Sequence, residues 1–239
     1  MQNCSLRPHE FDEQTRKFFS EGYYLFETML LKNGIIDLKD FHFKRIRISL
    51  DKLNWPKTVD GHELLFWWEN FLLHQAHQKN DLDQRVKLSL IPHFQKNTLT
   101  PFIEQKKYCP PKSPIRLCFH PEAVRHSCDP LFSFKLGSRT HMEYFLHKIP
   151  PPYDDVIFVN EKKQICETTR HNLYLKKNNQ LYTPSKDCGL LEGVMRAKLL
   201  SENIVIETSL TRDDWYNANE LFISNALVGL LPVQKSNEG

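Results

Sequence analysis

Six residues, "CPPKSP" at 109–114, limit what this chain can fold into more than any other stretch. Three prolines in six positions fix φ and remove backbone donors, so no helix or sheet ladder runs through them. The chain therefore reads as two parts, a smaller α/β domain over 1–110 and a larger strand-rich domain over 111–239. At 239 residues it can bury a core without disulfide staples.

Before the linker, "YYLFETMLL" reads as a buried strand, "KNG" as a turn and "IIDL" as the returning strand. "DFHFKRIRISLDKLN" places Phe41, Ile46, Leu50 and Leu53 near one helical face, and Trp55-Pro56 stops it. A second helix is expected from about Gly61 to Gln78, and "RVKLSLI" alternates as a strand. After the linker comes the strand "IRLCFH", then a loop entering a helix that "PPP" ends. Four strands follow, "DVIFV", "QICET", "NLYLKK" and "QLYTP", joined by polar turns. The helix "VMRAKLLSEN", the strand "IVIETSL", a short helix N-capped by Thr211, the strand "ELFISN" and "ALVGLLPV" complete an α+β chain.

Composition narrows the function. A net charge of +3, without a basic stripe of interleaved aromatics, argues against nucleic acid. No run of about eighteen apolar residues suggests a membrane span. The polar opening "MQNCSLRPHEFDEQ" lacks the apolar core of a signal peptide. Six cysteines without a C-x-x-C pair match no structural zinc motif and read as reduced thiols of a cytoplasmic protein.

Four features could carry chemistry. In "GLLEGVMRAKLL", Gly193 precedes a helix whose first-turn N–H groups and dipole suit a phosphate; alternatively it only ends a loop. "ISNALVG" ends a strand in small polar residues whose backbone could meet the same anion. Arg45 sits beside the apolar stripe of its helix, where it either snorkels to solvent or reaches a phosphate. Lys135, among Phe132, Phe134 and Leu136, is either a loop residue or a usable amine. Glu167 adds a question: it lies within strand-forming residues, and no lysine or arginine faces it across a simple hairpin. A lysine amine, a phosphate cradle and a carboxylate lacking a positive partner together match pyridoxal phosphate, whose ring nitrogen would face Glu167.

In these stretches the chain resembles the fold-type IV (class IV) pyridoxal-phosphate enzymes, from about Leu25 to Val233. "LFETMLLKNGIIDLKDFHFKRIRIS", "DPLFSFKLGSR", "ICETTRHNLYLKKNNQLYTPSKDCGLLEGVMRAKLL" and "ELFISNALVGLLPV" carry the resemblance. "LFETM" and "SNALVGLLPV" are most similar to aminodeoxychorismate lyases, including the lyase-like domain fused to aminodeoxychorismate synthase. The resemblance implies a D-amino-acid aminotransferase-like fold, with the cofactor at the domain interface of a homodimer. It implies that Lys135 bonds the cofactor and that Glu167 pairs with its ring nitrogen. Arg45, Gly193, the amides of Val194 and Met195, and those near Asn225 and Ala226 would hold the phosphate. Thr28 would touch the leaving group or donate a proton to it, and Arg139 would bind a substrate carboxylate. The implied reaction takes pyruvate from 4-amino-4-deoxychorismate, made by a synthase, and leaves 4-aminobenzoate for folate synthesis. A class IV aminotransferase of branched-chain or D-amino acids is the alternative, and a non-catalytic cofactor-binding protein the third reading. Two departures stand out. Leu136, Gly137 and Ser138 follow the lysine where related lyases carry other residues, and no glycine- and arginine-rich loop follows "RVKLSLI".

Overall fold

A computed structural model describes residues 12–55, 61–76, 82–138 and 140–235. It divides into two units: one runs to Cys109 and takes in Lys135–Ser138, the other holds Pro110–Phe134 and the chain from Arg139. The lysine segment thus belongs with the first unit, not with the 111–239 part expected to carry it. Backbone bonds explain this. The Phe26 amide donates to the Lys135 carbonyl (2.9 Å), the Gly137 amide to Tyr24 (2.7 Å) and the Ser138 amide to Gly22 (2.8 Å). Two glycines permit that approach. Gly22 has φ +77°, and a Cβ on it would lie 2.4 Å from the Ser138 nitrogen; one on Gly137 would lie 2.2 Å from the Tyr24 ring.

The first unit opens with α1 (Glu13–Ser20), N-capped by the Asp12 side chain. β1 (Leu25–Lys32), β2 (Ile35–Ile36), β3 (Gln84–His93) and β4 (Thr98–Lys107) form an antiparallel sheet in the order β2-β1-β3-β4. Along β1, Leu25, Glu27, Met29 and Leu31 are buried, while Phe26, Thr28 and Leu30 share the other, half-open face. α2 (Lys39–Leu53) contacts β1, and α3 (Gly61–Ala76) contacts β2. Of the expected stripe of Phe41, Ile46, Leu50 and Leu53, α2 buries Ile46 and half-buries the other three, while His42 and Ser49 complete its buried face. A polar interaction with Glu27 holds His42 there. The sequence reading did not find β4, because Pro101 interrupts it; as the sheet's edge strand it tolerates the missing donor.

The second unit is built on a ring of strands. β5 (Ile115–Arg125), β6 (Asp155–Asn160), β7 (Ile165–Thr168), β8 (Asn172–Lys177), β9 (Gln180–Pro184), β10 (Val205–Thr208), β11 (Glu220–Asn225) and β12 (Gly229–Gln234) run in the order β10-β9-β8-β11-β12-β5-β6-β7. An added β7–β8 pairing closes six of them on themselves. One core cluster draws on all six, from Leu117, Ile157, Ile165, Leu173, Ile223 and Val233. α4 (Thr140–Lys148) adds Phe145 to a second cluster with Val156, Phe158 and Cys166. α5 (Val194–Ser201) packs Leu199 beside Tyr174 and Val205. α6 (Arg212–Tyr216) begins with a capping box between Thr211 and Asp214, as its sequence suggests. Among the described residues no helix is long and apolar enough to cross a membrane.

Candidate functional site

The β7–β8 hairpin answers what Glu167 faces. A register shift between β6 and β7 breaks the period-two alternation, and Glu167, paired across the hairpin with Asn172, is nearly inaccessible at 4% exposure. Arg125, at the end of β5, reaches it through Nη1 at 2.5 Å. The Leu191 amide donates to Oε1 (3.1 Å) and Asn172 Nδ2 to Oε2 (3.4 Å). The Arg125 guanidinium lies between the rings of Phe132 and Phe158, 4.5 and 4.4 Å from their centroids. Its Nε and Nη2 are buried with no hydrogen-bond partner. Sequence reading missed Arg125 because it lies 42 residues upstream in a stretch with no periodic signal. The hairpin turn itself is pinned by Asp155, which accepts from the Thr169 amide (3.2 Å) and hydroxyl (2.7 Å). Burial would raise the Asp155 carboxyl, but hydrogen bonds from His171 and the threonines hold it below its ordinary value.

The phosphate candidates of this unit lie at the start of α5 and the end of β11. Gly193 is the N-cap of α5 and gives it no side-chain hydrogen bond. The first-turn amides of Val194 and Met195 thus lack a side-chain cap, as an anion requires. The missing Cβ of Gly193 serves packing rather than ligand approach, since a Cβ would lie 2.1 Å from Asn172 Oδ1. Asn225 spends its side chain on its own turn. Oδ1 accepts from the amides of Leu227 (2.8 Å) and Val228 (3.1 Å), and Nδ2 donates to the Arg170 carbonyl (3.4 Å). Only the backbone near Asn225 and Ala226 is left to meet an anion.

In the first unit, Lys135 extends its Nζ over the Phe26 ring, 4.9 Å from the centroid. It lines a small void with Leu25, Glu27, Ile46 and Ser49. Arg45 neither snorkels nor stands apart: its Nε donates to Glu27 Oε1 at 2.8 Å and its Nη2 to Oε2 at 2.5 Å. His42 Nδ1 meets the same carboxylate at 2.6 Å. Burial would raise Glu27, but the charge of Arg45 and its partners' hydrogen bonds outweigh it and hold the carboxyl far below the usual range. Burial likewise pushes His42 down, against the pull of Glu27, so it is neutral and donates from Nδ1. The clue to this triad was available: a carboxylate at an inward β1 position, and a histidine and arginine three apart on α2. Thr28 lies on the opposite face of β1 from Glu27, beside Phe26. Arg139 lies outside the described residues.

Two outcomes follow from these buried charges. Glu167→Gln leaves Arg125 unpaired and should lower unfolding free energy in urea by about 3 kcal/mol; adding Arg125→Met should restore most of it. A single-variant loss under about 0.5 kcal/mol would show that the pair is not buried. For His42, a base held below its unfolded value of 6.5 contributes stability present above that pH and lost as pH falls below it. Glu27, an acid held down, adds a second loss below its unfolded value of 4.5. Stability should fall in those two steps, and His42→Asn should abolish the first.

A family model described as amino-transferase class IV matches residues 24–236. Aminodeoxychorismate lyase of Bacillus subtilis is 26% identical over 238 residues, covering 92% of this chain and 80% of that protein. A probable branched-chain-amino-acid aminotransferase of Thermotoga maritima is 31% identical over 111 residues, 44% of this chain and 40% of its own length. A putative 4-amino-4-deoxychorismate lyase structure from Legionella pneumophila superposes with a TM-score of 0.81 at 26% identity, covering 96% and 88% of the two chains. The family is pyridoxal-phosphate dependent, and the residues present fit that group. A lysine amine, uncapped helix amides and a buried carboxylate, beside guanidinium nitrogens without partners, are the donors and acceptors it needs. The chain belongs to the class IV aminotransferase family, with the α+β fold of the fold-type IV enzymes.

Proposed function

We propose that the chain is a 4-amino-4-deoxychorismate lyase, releasing pyruvate and leaving 4-aminobenzoate. The observation that carries this reading is the alignment with the Bacillus subtilis lyase along nearly the whole chain. Bound pyridoxal phosphate supplies a sink for the electrons left on a substrate carbon that has lost its proton. Lys135 would hold it through its Nζ. As a free amine, Lys135 Nζ would take the proton from the ring carbon bearing the substrate's amino group. Glu167 would pair with the ring nitrogen and keep it protonated, and Arg125, in turn, fixes the Glu167 carboxylate. The amides of Val194 and Met195, those near Asn225 and Ala226, and Arg45 would hold the phosphate, with Glu27 and His42 orienting the arginine. The bond from the ring to the enolpyruvyl oxygen breaks, the ring becomes aromatic, and Thr28 delivers a proton to the departing group. The same reading includes a homodimer and a synthase that supplies the substrate.

A class IV aminotransferase is the second reading, favoured by the Thermotoga maritima match. One assay separates them. Cofactor-loaded protein given aminodeoxychorismate should form pyruvate and 4-aminobenzoate in equal amounts, followed by lactate dehydrogenase coupling and fluorescence. If amino acids instead convert the cofactor to its amine form and no pyruvate appears, the protein is an aminotransferase. If neither happens, it is a non-catalytic member.

A further inference from the structure

The helix α1 lies ahead of residue 24, where the family match begins, and its ring contacts lead toward Lys135. Asp12 anchors the helix to the first sheet. Its carboxylate caps α1, meets His93 Nε2 at 2.8 Å and accepts from Lys96 Nζ at 3.0 Å. From that anchor Phe19 stacks on the Tyr24 ring, with centroids 4.9 Å apart and planes 27° apart. Phe102 meets Phe19 edge-on at 5.3 Å. Stacked and edge-to-face rings attract each other beyond the area they bury. The same Tyr24 ring occupies the space that a side chain at position 137 would need, since a Cβ on Gly137 would lie 2.2 Å from it.

Two routes lead from Tyr24 to the lysine. Along the backbone, the Gly137 amide donates to the Tyr24 carbonyl at 2.7 Å, and the Phe26 amide to the Lys135 carbonyl at 2.9 Å. Through side chains, the Tyr24 ring meets that of Phe26 at 6.2 Å, and Lys135 Nζ lies 4.9 Å from the Phe26 centroid. Core packing explains part of this, because Tyr24 and Ile91 are the buried centre of a small aromatic cluster. It does not explain the glycine. A core ring does not require the residue two after the lysine to lack a side chain, and Gly137 is a position at which this chain departs from related lyases. Nor is Tyr24 a platform for a substrate ring, since its neighbours leave it only 9% exposed. We propose that Phe19 and Tyr24 are positioning residues: with Gly137 they form a clamp through which α1 holds the Lys135 segment, and so its amine, in place. The consequence for chemistry rests on Lys135 as the cofactor lysine, whereas the clamp itself is a property of the chain alone.

Two readouts keep those claims apart. The first is amide hydrogen exchange at Gly137 and Ser138 in protein without cofactor. The second is the rate at which added pyridoxal phosphate forms its visible band. Phe19→Ala and Tyr24→Ala should each speed exchange at both amides and slow the band by about tenfold. Gly137→Ala, which drives a methyl into the Tyr24 ring, should do the same. Tyr24→Phe keeps the ring and should match wild type in both readouts. Phe18→Ala removes a ring of the same helix that contacts Tyr23 and Phe94 instead. It should lower Tm about as much as Phe19→Ala and leave both readouts unchanged. Equal effects of Phe18→Ala and Phe19→Ala on exchange would show that α1 contributes only stability, and overturn the proposal. So would a Tyr24→Phe variant that loses as much as Tyr24→Ala. If exchange responds as expected but wild type forms no band, the cofactor assignment of Lys135 fails and the clamp stands.

Discussion

A carboxylate stays in a protein interior only if a cation or several donors face it, and among the described residues Glu27, Asp155 and Glu167 meet that demand. Glu27 is held by Arg45 and His42 in the first unit, and Glu167 by Arg125, Asn172 and the Leu191 amide in the second. Each pairing links elements distant in sequence. Glu27–Arg45 and Glu27–His42 tie α2 to the first sheet, with His42 and Ser49 buried beside Ile46. Glu167–Arg125 joins the end of β5 to the hairpin that closes the ring of strands. Replacing either pair with apolar groups need not destabilise the fold, so their retention fits a role beyond stability.

The lysine illustrates a different constraint. Lys135 follows the proline linker in sequence, yet its segment lies beside the start of β1 through bonds of Lys135, Gly137 and Ser138 to Phe26, Tyr24 and Gly22. Those bonds need two glycines with no room for a side chain, and the Tyr24 ring fills the space above Gly137. A lysine whose backbone is bonded beside a strand is positioned more closely than one on a free loop, as proton transfer at a defined carbon requires.

Much of this was legible in the sequence, for physical reasons. The strands of the second unit show because their apolar runs and polar turns are local signals, and Thr211 announces its helix through capping chemistry. Lys135, Glu167 and Gly193 stand out because each breaks a local pattern. What was not legible depends on contacts across long sequence separations. Arg125 lies in no periodic segment, β4 is interrupted by Pro101, and the inward face of α2 includes a polar tie to Glu27 that hydrophobic periodicity does not register.

The claim on which the rest turns is that Lys135 carries pyridoxal phosphate. The most direct measurement is borohydride reduction of the purified, cofactor-treated protein, followed by visible spectroscopy and peptide mass spectrometry, with Lys135→Ala alongside. The account predicts a visible band that reduction removes, a reduced pyridoxyl group on the peptide containing Lys135, and neither in the variant. A band and a label that persist in Lys135→Ala, or that map to another lysine, would contradict it.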